Sequence, residues 1–126
     1  HLIHPLGFNP SDKQLQRAGL DYHDWTSIQH HSDYENFLEH TLGKNIWPIS
    51  TKGHTDYHQA HYQENDILLF GPETRGLPQE IRESFPPDRV IKIPMCPNNR
   101  SLNLSNAASI VAYEAWRQMN FTGRTP

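Results

Sequence analysis

Cysteine is almost absent from this sequence. Cys96 stands alone, which excludes a disulfide within the chain and suits a reducing cytosol. Long hydrophobic runs are missing too: none approaches the roughly 18 residues of a membrane span, and no signal-like segment is visible. The expectation is a cytoplasmic protein with no membrane partner. Positive charge is in deficit, with a net charge of −3, which argues against a general electrostatic binder of nucleic acid. Several catalytic signatures are lacking as well. There is no nucleophile elbow for Ser/His/Asp chemistry, no Walker loop and no dinucleotide fingerprint. Cys96 follows a strand end without any one histidine marked as its partner.

What is present fits a single domain spanning residues 1–126, long enough to bury a core. The chain opens on His1 inside the apolar "HLIHP", which reads as a start within an element and hence as an N-terminally incomplete domain. Charge is unevenly placed. Residues 1–63 hold four Lys+Arg against seven Asp+Glu, and residues 64–126 hold seven of each. All but one of the later cations are arginine: Arg75, Arg82, Arg89, Arg100, Arg117 and Arg124. Their forks suit phosphate, although scattered surface charge explains them equally well.

Strand-like and helix-like segments alternate. "HLIHP" reads as the end of a strand, and "NIWPIS", "DILLF" and "RVIKIP" as short apolar strands. "SDKQLQRAG" has a capping pattern in Ser11 and Gln14, with Gly19 as a stop. "SDYENFLEHTLG" repeats it with Ser32 and Glu35, an apolar stripe of Tyr34, Phe37, Leu38 and Leu42, and Gly43 to close. "LPQEIRESF" predicts a short helix ending before Pro86-Pro87. From Asn103, "NLSNAASIVAYEAWRQM" places Leu104, Ala107, Ala108, Val111, Ala115 and Met119 on one stripe, widened by Ile110 and Trp116. This pattern predicts an α/β domain with a mostly parallel sheet flanked by helices.

Such sheets bind ligands beyond the carboxyl ends of their strands. Three loops qualify: "STKGHT", "GPETRG" and "PMCPNNRSLNLSN". In the second, Pro72 removes a backbone donor and Glu73 repels phosphate, so a neutral or cationic ligand fits better than a polyphosphate. A plain turn on two glycines is the competing reading. The third loop carries more polar side chains than helix caps require. "HTDYHQAHY" spaces His54, His58 and His61 for a metal only if helical, and no cysteine or carboxylate completes a zinc set. No metal is expected there, and His30-His31 reads as surface.

Taken in order, "STKG", "LLFGPETRGLP", "IKIPM" and "RSLNLSNAASIVAYEAWRQ" strongly resemble the SPOUT superfamily of methyltransferases. Together with "LQRAGLDYHDW" they resemble its tRNA (cytidine/uridine) 2′-O-methyltransferase subfamily, TrmL, across essentially the whole chain. The resemblance implies a C-terminal trefoil knot holding S-adenosylmethionine, with Ile49, Gly71, Ile93, Met95, Ser101 and Leu102 lining its slot and S-adenosylhomocysteine as product. It implies methyl transfer to the ribose of the wobble nucleotide of tRNA. Glu73, Arg75, Ser101 and Asn103, with Ser105, are the candidates for positioning substrate or cofactor. None is a strong general base. The Asn-Thr-Gly-Asn…Arg motif of the family belongs to a first strand and helix expected to be missing here. A homodimer is implied as well, through the last helix with Tyr113, Trp116 and Met119. Two other readings stand beside this one: a non-catalytic knotted module that binds RNA or dimerises, and a ribosomal RNA methyltransferase of the same fold. Expected behaviour of Gly71→Val is loss of cofactor affinity, by intrusion of a side chain into the slot.

Overall fold

The computed structural model describes residues 1–5, 27–98 and 102–126. The helix expected over 11–19, the stretch "LQRAGLDYHDW" and Ser101 lie outside these residues. The chain divides into two compact units, His1–Gly43 and Lys44–Pro126. Among the described residues no helix is long and apolar enough to cross a membrane.

In the first unit, β1 (Leu2–Ile3) pairs in parallel with β2 (His30–His31), Leu2 opposite His30 and Ile3 opposite His31. Helix α1 (Tyr34–His40) follows. Its cap is Asp33 rather than the expected Ser32: the Asp33 carboxylate accepts from the Asn36 amide at 2.8 Å. The Asn36 side chain in turn accepts from the Ser32 amide at 3.3 Å. The reciprocal capping logic is kept, shifted by one residue. Phe37 is fully buried, and the chain leaves the helix through Gly43 at φ +81, a left-handed turn glycine adopts freely. Leu42, expected on the apolar stripe, is 82% exposed because the helix has already ended at Thr41.

A second correction concerns His30-His31. His30 is exposed, but His31 is buried, stacked on His1 and edge-on to Phe37. Strand alternation sends the two side chains to opposite faces, so one of them must enter the core. His31 Nε2 lies 2.9 Å from His1 Nδ1, and His4 Nε2 lies 2.9 Å from His30 Nδ1. In each pair one ring nitrogen donates and the other accepts.

The second unit carries β3 (Ile46–Pro48), β4 (Thr55–Asp56), β5 (Ile67–Leu69) and β6 (Ile91–Lys92). All the pairings are parallel: β3 with β5, and β4 with β6. Residues 46–49 are buried without a break, as expected for a strand covered on both faces. Just past β3, the Ile49 amide donates to Leu69 O at 2.9 Å and the Ser50 amide to Ile91 O at 2.8 Å. The end of β3 is thereby held between β5 and β6. Trp47, Ile49, Ala60, Tyr62, Ile91 and Val111 form the core.

Polar anchors secure this core at its edges. Trp47 Nε1 donates to Asp66 at 2.9 Å, and Arg89 lies over the Trp47 ring, 4.2 Å from its centroid, while donating to Ile46 O at 3.0 Å. Helix α2 (Gln79–Glu83) stops before Pro86-Pro87, and a 3-10 turn over Pro87–Arg89 leads into β6. Helix α3 (Leu104–Gln118) buries Val111 and half-buries Leu104, Ala107, Ala108, Ile110 and Ala115. Glu114, unexpectedly, is buried on it too. Its carboxylate receives Arg117 at 2.7 Å, which offsets the cost of removing a charge from water. Burial, and then Glu114, push the Tyr62 phenol pKa well up.

Burial first, and then neighbouring His40, lower the His31 pKa from its usual 6.5. The folded form favours neutral His31, so the unfolded chain takes up the proton first as pH falls. The stability from this residue is therefore complete above about pH 6.5 and is lost progressively below it. In an NMR titration the His31 imidazole is expected to titrate below 6.5, and a midpoint at or above that value would remove this source of acid sensitivity.

Candidate functional site

The three loops expected from the sequence do converge. Ser50–Gly53 follows β3, Gly71–Gly76 follows β5, and the segment after β6 leads through Leu102 into α3. Together they enclose a cavity of about 430 Å³, within the size range of small-molecule sites.

Each loop is shaped by short-range chemistry. In the first, the Lys52 amide donates to Ser50 Oγ at 3.1 Å and the Gly53 amide to Ser50 O at 3.0 Å. A Cβ on Gly53 would come within 2.6 Å of the Ile91 backbone, so this glycine lets the loop lie against β6. In the second, Pro72 O accepts from the amides of Arg75 at 3.3 Å and Gly76 at 2.8 Å. Gly76 takes φ +67 to close that turn.

Gly71 corrects the reason given for it above. A Cβ there would run into the backbone of Gly76 and Leu77, so the glycine lets the loop fold back onto its own far end. It lines the cavity, yet the space its missing side chain spares is filled by protein. In the third loop Asn98 is left-handed at φ +69, a conformation asparagine tolerates.

Of the residues expected to hold a cofactor, Ile49, Gly71, Ile93, Met95 and Leu102 all line the cavity. Glu73 and Arg75 line it as well, both exposed. Asn103 does not. Its Oδ1 caps α3, accepting from the Ser105 amide at 2.8 Å and from Ser105 Oγ at 2.6 Å. Capping thus absorbs two of the polar residues in a stretch that had looked richer than caps require.

The sequence reading missed Phe70, Leu104 and Ala107 on the apolar wall, and Lys52 and Arg82 on the polar one. Lys52 stood within the quoted "STKG" without a role. Gln79 and Arg82 are three apart on α2, and that spacing alone puts them on one face.

The cavity has an apolar side built from Ile49, Phe70, Ile93, Leu102, Leu104 and Ala107, and a polar side carrying Glu73 and the cations. Among the described residues no histidine or cysteine lines it. Such a site can bind a flat apolar group and orient a charged one, but it has no base-activated nucleophile. The segment with His54, His58 and His61 is not helical: it holds β4 and turns, and all three rings are exposed. Among the described residues no group of three or more His, Cys, Asp or Glu could hold a metal ion.

Gly71→Ala is expected to lower stability by about 2 kcal/mol through overpacking of the loop. Binding of S-adenosylmethionine, the cofactor expected from the sequence, would weaken as a consequence. Thermal unfolding beside calorimetric titration checks this, because a side chain that only filled the cavity would reduce affinity and leave Tm unchanged.

Known proteins share this arrangement. The tRNA (cytidine(34)-2'-O)-methyltransferase of Saccharophagus degradans is 53% identical over 123 residues, covering 98% of this chain and 80% of that protein. A solved structure described as "Structural insights into the 2-OH methylation of C/U34 on tRNA" superposes with a TM-score of 0.86 at 44% identity, covering 96% of this chain and 78% of that one. An AdoMet-bound rRNA methyltransferase from Sinorhizobium meliloti superposes at 0.62 with 28% identity, over 74% of this chain and 36% of its own. The SpoU rRNA Methylase family matches residues 1–113, and the chain belongs to that family.

Proposed function

We propose that this chain is an S-adenosylmethionine-dependent tRNA 2′-O-methyltransferase that acts on the ribose of nucleotide 34, a cytidine or modified uridine at the wobble position. One observation carries the reading. A relative 53% identical over nearly the whole chain bears that activity in its name, and this chain folds its three corresponding loops around one cavity. The ribosomal reading has less behind it, since the rRNA enzyme aligns with 74% of the chain at 28% identity.

The cavity fits the cofactor chemically. Ile49, Phe70, Ile93, Leu102 and Leu104 offer an apolar slot for a flat, neutral adenine, with loop backbone groups at its edge. The Glu73 carboxylate lies on the wall where a sulfonium cation is better accommodated than a phosphate. When bound, S-adenosylmethionine supplies an electrophilic methyl group to the ribose 2′-oxygen and leaves as S-adenosylhomocysteine. The contribution of this chain is to hold the reacting partners in line. Arg75, exposed on the same wall, faces the RNA, and Ser101 helps position substrate or cofactor. No residue on the wall serves as a strong base, so removal of the hydroxyl proton relies on orientation and nearby positive charge.

The wider assembly belongs to the same proposal. Residues 1–126 form one methyltransferase domain, its C-terminal loops making a trefoil knot. The protein works in the cytoplasm as a homodimer joined through α3. Tyr113 projects from that helix, 63% exposed, while Trp116 is steadied by Phe121 and donates to Thr122 O at 3.0 Å. Tyr113, Trp116 and Met119 then exceed what the protomer's own sheet requires.

Calorimetry with S-adenosylmethionine and methyl transfer to tRNA transcripts, mapped by mass spectrometry, test the reading. The expected result is saturable cofactor binding and a single methyl group at nucleotide 34. Absence of cofactor binding would leave an RNA-binding module, and methylation of ribosomal RNA alone would move the substrate.

A further inference from the structure

Several cations among the described residues are committed to neighbours. Arg89 is committed to Asn45, Ile46 and Trp47, Arg117 to Glu114 and Lys92 to Asp56. Lys52, Arg75 and Arg82 form no ion pair among the described residues, and all of them line the cavity. Among the described residues Glu73 is the only acid on that wall, so these residues carry three positive charges against one negative, a surplus of two, in a chain whose net charge is −3.

The placement on α2 sharpens the point. That helix carries Glu80, Arg82 and Glu83, yet it turns Gln79 and Arg82 to the cavity and leaves both glutamates off the wall. Arg82 is half-buried, a placement in which an arginine stem packs and leaves the charged head to solvent. Lys52 comes from the loop after β3 and Arg75 from the loop after β5. The three cations come from separate elements and meet only here.

We infer that Lys52 and Arg82 join Arg75 in a cationic rim that grips an RNA backbone phosphate beside the reacting ribose. The inference rests on the methyltransferase reading above. It assigns the apolar wall to the cofactor and the rim to the substrate, so sequence-independent phosphate contacts hold the ribose in register. This answers how an acidic chain holds RNA: by placing three cations that form no ion pair among the described residues where the nucleic acid must enter.

The cofactor's carboxylate is the other anion that could meet these cations, and the experiment separates the two. Arg82→Gln, Lys52→Gln and Arg82→Lys are compared with wild type, with Arg124→Gln as a charge-matched control away from the cavity. Each neutral rim variant is expected to raise KM for tRNA roughly threefold to tenfold, and to flatten the dependence of log affinity on log salt by about 0.7 to 0.9. Cofactor affinity stays at the wild-type value, Arg82→Lys recovers most of the loss, and Arg124→Gln does not change KM. Weakened cofactor binding with an unchanged KM and salt slope for tRNA would assign the rim to the carboxylate and overturn the inference. An active wild type whose rim variants change none of these also overturns it. If wild type neither binds cofactor nor methylates tRNA, the proposed function fails. The rim is then decided by salt-dependent binding of an anticodon stem-loop RNA to the same variants, where an unchanged slope counts against it.

Discussion

The end of β3 is the joint on which the site depends. At Ile49 and Ser50 consecutive amides point to opposite sides of the strand, one donating to Leu69 O and the other to Ile91 O. That alternation is a property of any extended chain. Here it aligns the ends of three parallel strands so that their following loops emerge side by side. The buried core of Trp47, Ile49, Ile91 and Val111 keeps this joint dry, which strengthens its hydrogen bonds. Without it the three loops would still turn, but they would not share a cavity.

Close approach of backbones is the second constraint. Gly53 lies against β6 and Gly71 against the return of its own loop, and in both places a single Cβ would separate surfaces that must touch. The glycines therefore act one step before the ligand: they shape the walls, and the walls make the slot. The side chains around that slot divide by chemistry. Apolar residues come from strand ends and the first turns of α3, whereas the cations come from the exposed parts of the loops and α2. A cavity with one apolar wall and one cationic rim suits two different reactants meeting in a single place.

Much of this was legible beforehand because it is local. The continuous apolar runs of β3, β5 and β6 marked a sheet buried on both faces, and Pro86-Pro87 marked the end of α2. The stripe from Leu104 to Ala115 marked α3. Five of the six residues expected around the cofactor slot, Ile49, Gly71, Ile93, Met95 and Leu102, lie on the wall of one cavity. The misses have physical causes. Leu42 fell off its stripe because α1 has already ended at His40, and the burial of His31 depends on a parallel pairing with Ile3, 28 residues away. Glu114 is tolerated in the core because Arg117, one turn on, neutralises it.

By itself the sequence did not mark the short polar strands β2 and β4, but it determined the apolar strands β3, β5 and β6, the helices α1 to α3, and the resemblance to a methyltransferase family. Each of these is carried by residues near one another in the chain. Only the tertiary structure decided that Gly71 serves its own loop, that Asn103 is spent on a cap, and that Lys52, Arg75 and Arg82 stand around one opening. The reason is geometric. Periodicity says which face a residue occupies along its own element, but which faces look into the same space is settled by how parallel strands place their loops side by side.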